Sequence, residues 1–228
     1  MNNLKIISGL LLSMIALFST FVSAQYSNEL NQAYNYAYIN GITTMDSIQK
    51  ADMDWKLNRI AMAKMITNYA VNVLWLEIPN NNGCTFADVS SSLNSDYDNW
   101  VTNACKLGLM WQNMPNNKFR PYDTVTRAEF GTTLSRAIHK ALGNNLSDWN
   151  PYYSTHLSYL NSESIMNYID HPEMTEQRWY VMLMMMRASK LASVDFDAGE
   201  CFSDCFNTPD SWDFDANEIF ECLQTCIK

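Results

Sequence analysis

Val125-Thr126-Arg127-Ala128-Glu129-Phe130 decides how this chain reads. Thr126 and Glu129 have the spacing of a capping box. The threonine hydroxyl accepts from the backbone N–H of Glu129, and the glutamate side chain reaches back to the N–H of Thr126. Apolar positions then recur three and four apart through Phe130, Leu134, Ala137, Ile138, Ala141 and Leu142, the period of an amphipathic helix. Arg127 does not fit a plain helix start. A cation in the first turn opposes the macrodipole at about 0.3–1 kcal/mol. Unpaired helix N–H groups beside an arginine form an anion site, which gives Arg127 a reason to be there. The rival reading is a structural salt bridge, for instance to Asp123 or Asp88.

Outward from this stretch, the pattern recurs. With Arg59, Arg127 and Arg178 in register, each follows the same kind of segment. Ala33-Tyr34, Ala37 and Asn40-Gly41-Ile42 precede the first. Trp100-Val101, Ala104 and Leu107-Gly108-Leu109-Met110 precede the second. His156-Leu157, Leu160 and Glu163-Ser164-Ile165-Met166 precede the third. A short helix therefore ends at Gly41, at Gly108 and at Ser164, with glycine as the usual left-handed cap. A polar loop and a longer helix follow each time. Asn58 is the expected cap beside Arg59. At the third position Thr175 stands as the candidate cap, which would rotate Arg178 relative to the other two. Units of this kind bury their apolar faces only against one another. Polar stretches place the boundaries at 25–79, 80–143 and 144–194, with a separate tail at 195–228.

The expected class is all-α. Glycine is scarce, with seven in the chain, and strand-like alternation is hard to find. Residues 1–24 read as a secretory signal peptide. Lys5 is their only charge, an apolar run from Ile6 to Phe18 follows, and Val22-Ser23-Ala24 is a small-residue cleavage site. The run is shorter than the roughly 20 apolar residues that a spanning helix needs. The chain is therefore expected outside the cytoplasm, with no membrane span after cleavage. Its acidity is concentrated in the tail, where nine acids face one base. The body is nearly neutral and has no basic stripe of the kind nucleic acid requires.

Export also makes disulfides the expected state of the six cysteines, with zinc knuckles as the competitor. Cys84 and Cys105 both belong to the second unit, one before its entry segment and one in its short helix, and a disulfide between them would pin the two together. In the tail, Asp197-Ala198-Gly199-Glu200 and Asp215-Ala216-Asn217-Glu218 each resemble a capping box. Each precedes a C-x₃-C pair. Cysteines four apart share a helix face, so an antiparallel hairpin would join Cys201 to Cys226 and Cys205 to Cys222. Asp213, Asp215 and Asn217 mimic the start of a calcium loop. Glu218 and Gln224 replace its glycine and final glutamate, so no metal or other cofactor is expected.

Cys84-Thr85-Phe86-Ala87-Asp88-Val89, then Trp100, Ala104 and Leu107-Gly108-Leu109-Met110, then Phe119-Arg120-Pro121 and Thr126-Arg127-Ala128-Glu129-Phe130, together resemble a full S-layer homology (SLH) repeat. The segments around Arg59 and Arg178 resemble it more weakly. The resemblance implies three repeats in a pseudo-threefold, helix-centred bundle. Grooves between them would bind an acidic, often pyruvylated, cell-wall polysaccharide and hold the protein on the bacterial surface. It also implies glycan-binding roles for Arg127 first, Arg59 second and Arg178 least, with Asp88 nearby; Thr126, Glu129 and Trp111 complete the candidate site. Trp111 and Tyr122 are candidate sugar-stacking rings, and Trp100 is expected in the core. The alternative is a structural envelope or adaptor protein that binds another protein through the acidic hairpin. No catalytic signature stands out: His139, His156 and His171 are scattered and lack sequence partners.

Overall fold

The computed structural model describes residues 26–80, 84–89, 95–110, 117–148 and 150–192. The protein is mainly helical. Among the described residues six helices follow one another: α1 (Asn28–Ile39), α2 (Arg59–Asn72), α3 (Ser95–Lys106), α4 (Arg127–Ala141), α5 (Ser154–Ser162) and α6 (Arg178–Ala192). None of these helices is long and apolar enough to cross a membrane. The expected signal peptide, the tail hairpin with its four cysteines, and Trp111 lie outside the described residues.

Three long helices, α2, α4 and α6, each begin on an arginine. The residues just before them meet in a closed ring of backbone hydrogen bonds. The Leu57 N–H donates to the Glu176 carbonyl at 2.8 Å, Glu176 N–H to Val125 at 2.9 Å, and Val125 N–H to Leu57 at 2.9 Å. Isolated bridges pair Lys56 with Gln177, Asn58 with Thr124, and Thr126 with Thr175 around it. The next two N–H groups of each helix continue the pattern. Arg59 and Ile60 donate to Asp123 and Pro121, Arg127 and Ala128 to Met174 and Pro172, and Arg178 and Trp179 to Trp55 and Met53. Each arginine thus stands at the same offset from the loop that receives its helix. Thr175 is not the cap of α6, and Arg178 is not rotated. Backbone hydrogen bonds fix the register there, whatever the residue before the helix offers as a side-chain cap.

Side-chain caps are present on the other two long helices. The Asn58 Oδ1 accepts from Ala61 N–H at 3.0 Å. At α4 both halves of the Thr126/Glu129 capping box are formed. The short helices end alike, with Gly41, Gly108 and Ser164 all in the left-handed region at φ +66°, +71° and +59°. Beyond each, the chain turns back by the same bond: Ile42 to Ala37, Leu109 to Ala104, and Ile165 to Leu160. That 6→1 bond is the Schellman closure, which satisfies a helix carbonyl otherwise left unpaired.

The closest-packed pairs are α1 with α6, α3 with α2, and α5 with α4. Each pair joins two of the segments 25–79, 80–143 and 144–194, so none of the three buries its apolar face alone. Leu57, Ile66, Phe119, Phe130, Leu134 and Ile138 are among the fully buried side chains between them. Gly131 makes the α4–α5 contact possible. A Cβ at that position would collide with the Leu157 side chain and press on Met166 Cε. A disulfide joins Cys84 to Cys105, whose Cα atoms are 5.9 Å apart, and ties the entry segment to α3. Trp100 is half-buried rather than fully enclosed, and Lys64 Nζ lies 4.5 Å from its ring centre.

Candidate functional site

The ring puts Arg59, Arg127 and Arg178 at the first position of their helices, each aimed at the loop of the neighbouring segment. Their surroundings differ. Arg127 is enclosed. Its Nε donates to Glu176 Oε1 at 2.6 Å, its Nη1 donates to the Tyr168 carbonyl at 2.8 Å, and its guanidinium lies 4.8 Å from the Tyr180 ring centre. Only 6% of its side chain and 2% of that of Glu176 are exposed. Burial pushes the Glu176 carboxyl above its ordinary value, while Arg127 pulls it back down.

Arg59 is also buried. Its Nε donates to the Phe119 carbonyl at 2.8 Å, its Nη1 donates to Glu129 Oε1 at 3.1 Å, and it lies over the Phe119 ring. Burial lowers the pKa of its guanidinium, Arg120 adds to this, and Glu129 and Asp123 oppose it. Glu129 therefore closes the capping box at Thr126 and neutralises Arg59 at once. Asp88 belongs to this arginine rather than to Arg127. Its carboxylate accepts from the N–H groups of Phe119 and Arg120 at 2.7 and 2.8 Å, holding the turn on which Arg59 rests.

Arg178 is the least engaged of the three. Its Nη1 donates to the Ala51 carbonyl at 3.2 Å, and its carboxylate neighbour, Asp52 Oδ2, is 3.8 Å away. A quarter of its side chain is exposed, and Asp52 is 66% exposed. The loop residue that accepts from the Arg178 N–H is Trp55, which is itself 66% exposed. The corresponding acceptors for Arg59 and Arg127 are Asp123 and Met174; the rings that lie over those two arginines, Phe119 and Tyr180, are buried. Gln177 completes the surroundings. Its Nε2 donates to the Asp54 carbonyl, and its Oε1 accepts from the Trp179 indole.

Two expectations change here. Helix N–H groups beside the arginines are not open to an anion, because the ring loops supply carbonyls to them. Arg127 has a salt bridge, but to Glu176 rather than Asp123 or Asp88; Asp123 pairs with Arg120 at 3.4 Å. Tyr122 is exposed, and Trp111 falls outside the described residues. Glu176 was missed, although the three segments in register show it where Leu57 and Val125 stand.

The histidines have partners after all. His156 Nδ1 lies 3.0 Å from Ser135 Oγ and its Nε2 lies 2.8 Å from Oδ1 of Asp148, whose Oδ2 accepts from Arg136 at 2.7 Å. This brings together serine, histidine and aspartate. Ser135 and His156 have no exposed surface, however, so no substrate reaches the hydroxyl. The network clamps α5 to α4. His139 hydrogen-bonds Asn144 and lies against Tyr159 of α5. No group of three or more histidine, cysteine or acidic residues among the described residues could hold a metal. No protein-family model matches the chain, and no curated protein is detectably similar to it.

Proposed function

We propose that this chain is an exported, non-catalytic glycan-binding protein, built from three SLH-like repeats about a pseudo-threefold axis, that holds to cell-envelope polysaccharide. The repeat reading is supported by the closed ring at Leu57, Val125 and Glu176 and by the three alike helix ends at Gly41, Gly108 and Ser164. A partly exposed arginine joined to a loop that carries an exposed tryptophan suits an acidic sugar. The guanidinium takes a carboxylate such as a pyruvate ketal, and the indole stacks on the sugar face.

One observation carries this reading and moves it from the motif-bearing arginine to another. Arg178 is partly exposed, weakly paired and joined through its backbone N–H to the loop that carries the exposed Trp55, whereas Arg127 and Arg59 are committed to Glu176 and Glu129. We therefore assign the principal glycan contact to Arg178 and Trp55, with Arg127 and Arg59 holding the repeats together. Sedimentation of the chain with isolated cell-envelope polysaccharide tests it. The chain pellets with the polymer, and Arg178→Ala raises the polymer concentration needed for half-pelleting about tenfold, as losing one charge-assisted contact of ~1.4 kcal/mol does. A wild-type chain that stays in the supernatant sinks the reading.

A further inference from the structure

Glu176 occupies a place that should be apolar. In the closed ring its two counterparts are Leu57 and Val125, both fully buried. A carboxylate at such a position carries a large desolvation cost unless a partner compensates it. The partner is Arg127, met at 2.6 Å through Nε. The bond is a charge-assisted one of the kind an arginine would make with a ligand carboxylate. The Tyr168 carbonyl takes Nη1, and Tyr180 covers the guanidinium face. At Arg178 the neighbouring ring residue is Leu57, which offers no charge, and the nearby acid is the exposed Asp52.

Resting on the glycan reading above, we propose that Glu176 is a built-in counter-anion. It stands in for a ligand carboxylate and closes the Arg127 site to acidic sugars, as Glu129 closes Arg59, so that Arg178 is the arginine the chain presents. The substitution of an acid for an apolar ring residue thus works as a specificity determinant. The repeat with the most complete helix-start motif is made structural, and binding is left to the junction of α6 with the 51–55 loop.

Arginine side-chain NMR on the full chain, titrated with glucuronate as the probe, tests this. In the wild type the Nε–H signal of Arg178 shifts saturably and that of Arg127 does not move. In Glu176→Gln the Arg127 signal shifts as well, and the stoichiometry rises from one glucuronate to two. Glu176→Leu, which restores the residue found at position 57, gives the same gain if the glutamine variant fails to fold. Movement of Arg127 in the wild type overturns the proposal, as does an unmoved Arg127 in either variant shown to be folded by circular dichroism. An unmoved Arg178 in every form counts instead against the glycan reading, whatever Arg127 does.

Discussion

Arg127 and Arg178 occupy the same place in their helices, and the chain has given them opposite fates. Around Arg127 the sequence follows the helix-start pattern in full, and the cation is buried against Glu176 and Tyr180. Around Arg178 the pattern is broken by Gln177 and Trp179-Tyr180, and the cation is partly exposed, 3.8 Å from its nearest acid. A helix-start motif thus reports local backbone geometry well and side-chain availability poorly. The first depends on neighbours in sequence, and the second on a residue about fifty positions away.

The largest expected effect separates the two pairs by stability. Removing one partner of a buried ion pair strands the other charge, so Glu176→Ala should cost about 3–5 kcal/mol. Removing Asp52 from its exposed partnership should cost no more than about 1 kcal/mol. Chemical denaturation of both variants measures this, and equal losses would erase the distinction between the two arginines. Next comes the packing that joins the segments. Gly131→Ala forces Leu157 and Met166 aside, with an expected loss of about 1–3 kcal/mol in the same measurement. An unchanged midpoint would mean that α4 and α5 are less closely packed than described. Thr126→Ala removes one half of the capping box and should cost about 1 kcal/mol, while Arg178 keeps its environment.

The smallest effect is a dependence on pH. Burial depresses the His156 imidazole, Arg136 and His139 add to the depression, and Asp148 opposes it. The unfolded chain therefore takes up the proton first. The contribution is complete above the ordinary histidine value, near pH 6.5, and is lost as the pH falls from there towards the folded value. Thermal midpoints taken between pH 7 and pH 5 should decline more in the wild type than in His156→Gln. Parallel curves would show that His156 does not carry the effect.

Helices, their caps and the left-handed turns were legible because neighbours within five residues make them. The capping box at Thr126 and Glu129, the Asn58 cap and the turns at Gly41, Gly108 and Ser164 all follow from local chemistry. The Cys84–Cys105 disulfide followed from the even cysteine count and the expectation of export. The start of α6 was misread at Thr175, because its register comes from hydrogen bonds to Val125, Trp55 and Met53, far away in sequence. The site was legible only as a set of three arginines. Nothing near Arg127 announces that Glu176 neutralises it, and nothing near His156 announces Ser135. The one available signal was the acid among apolar residues when 57, 125 and 176 are placed in register.

On the proposed reading Arg178, in competition with Asp52, presents the charge that an acidic glycan meets. Calorimetric titration of the full chain with a uronic-acid oligosaccharide tests it through two variants of one pair. Asp52→Asn keeps a residue type that tolerates the left-handed backbone at that position (φ +48°) and removes the competing carboxylate. Asp52→Asn should tighten binding a few-fold and Arg178→Ala should weaken it about tenfold, the ratio that ~1.4 kcal/mol produces. Undiminished affinity in Arg178→Ala, or weaker binding in Asp52→Asn, would contradict it.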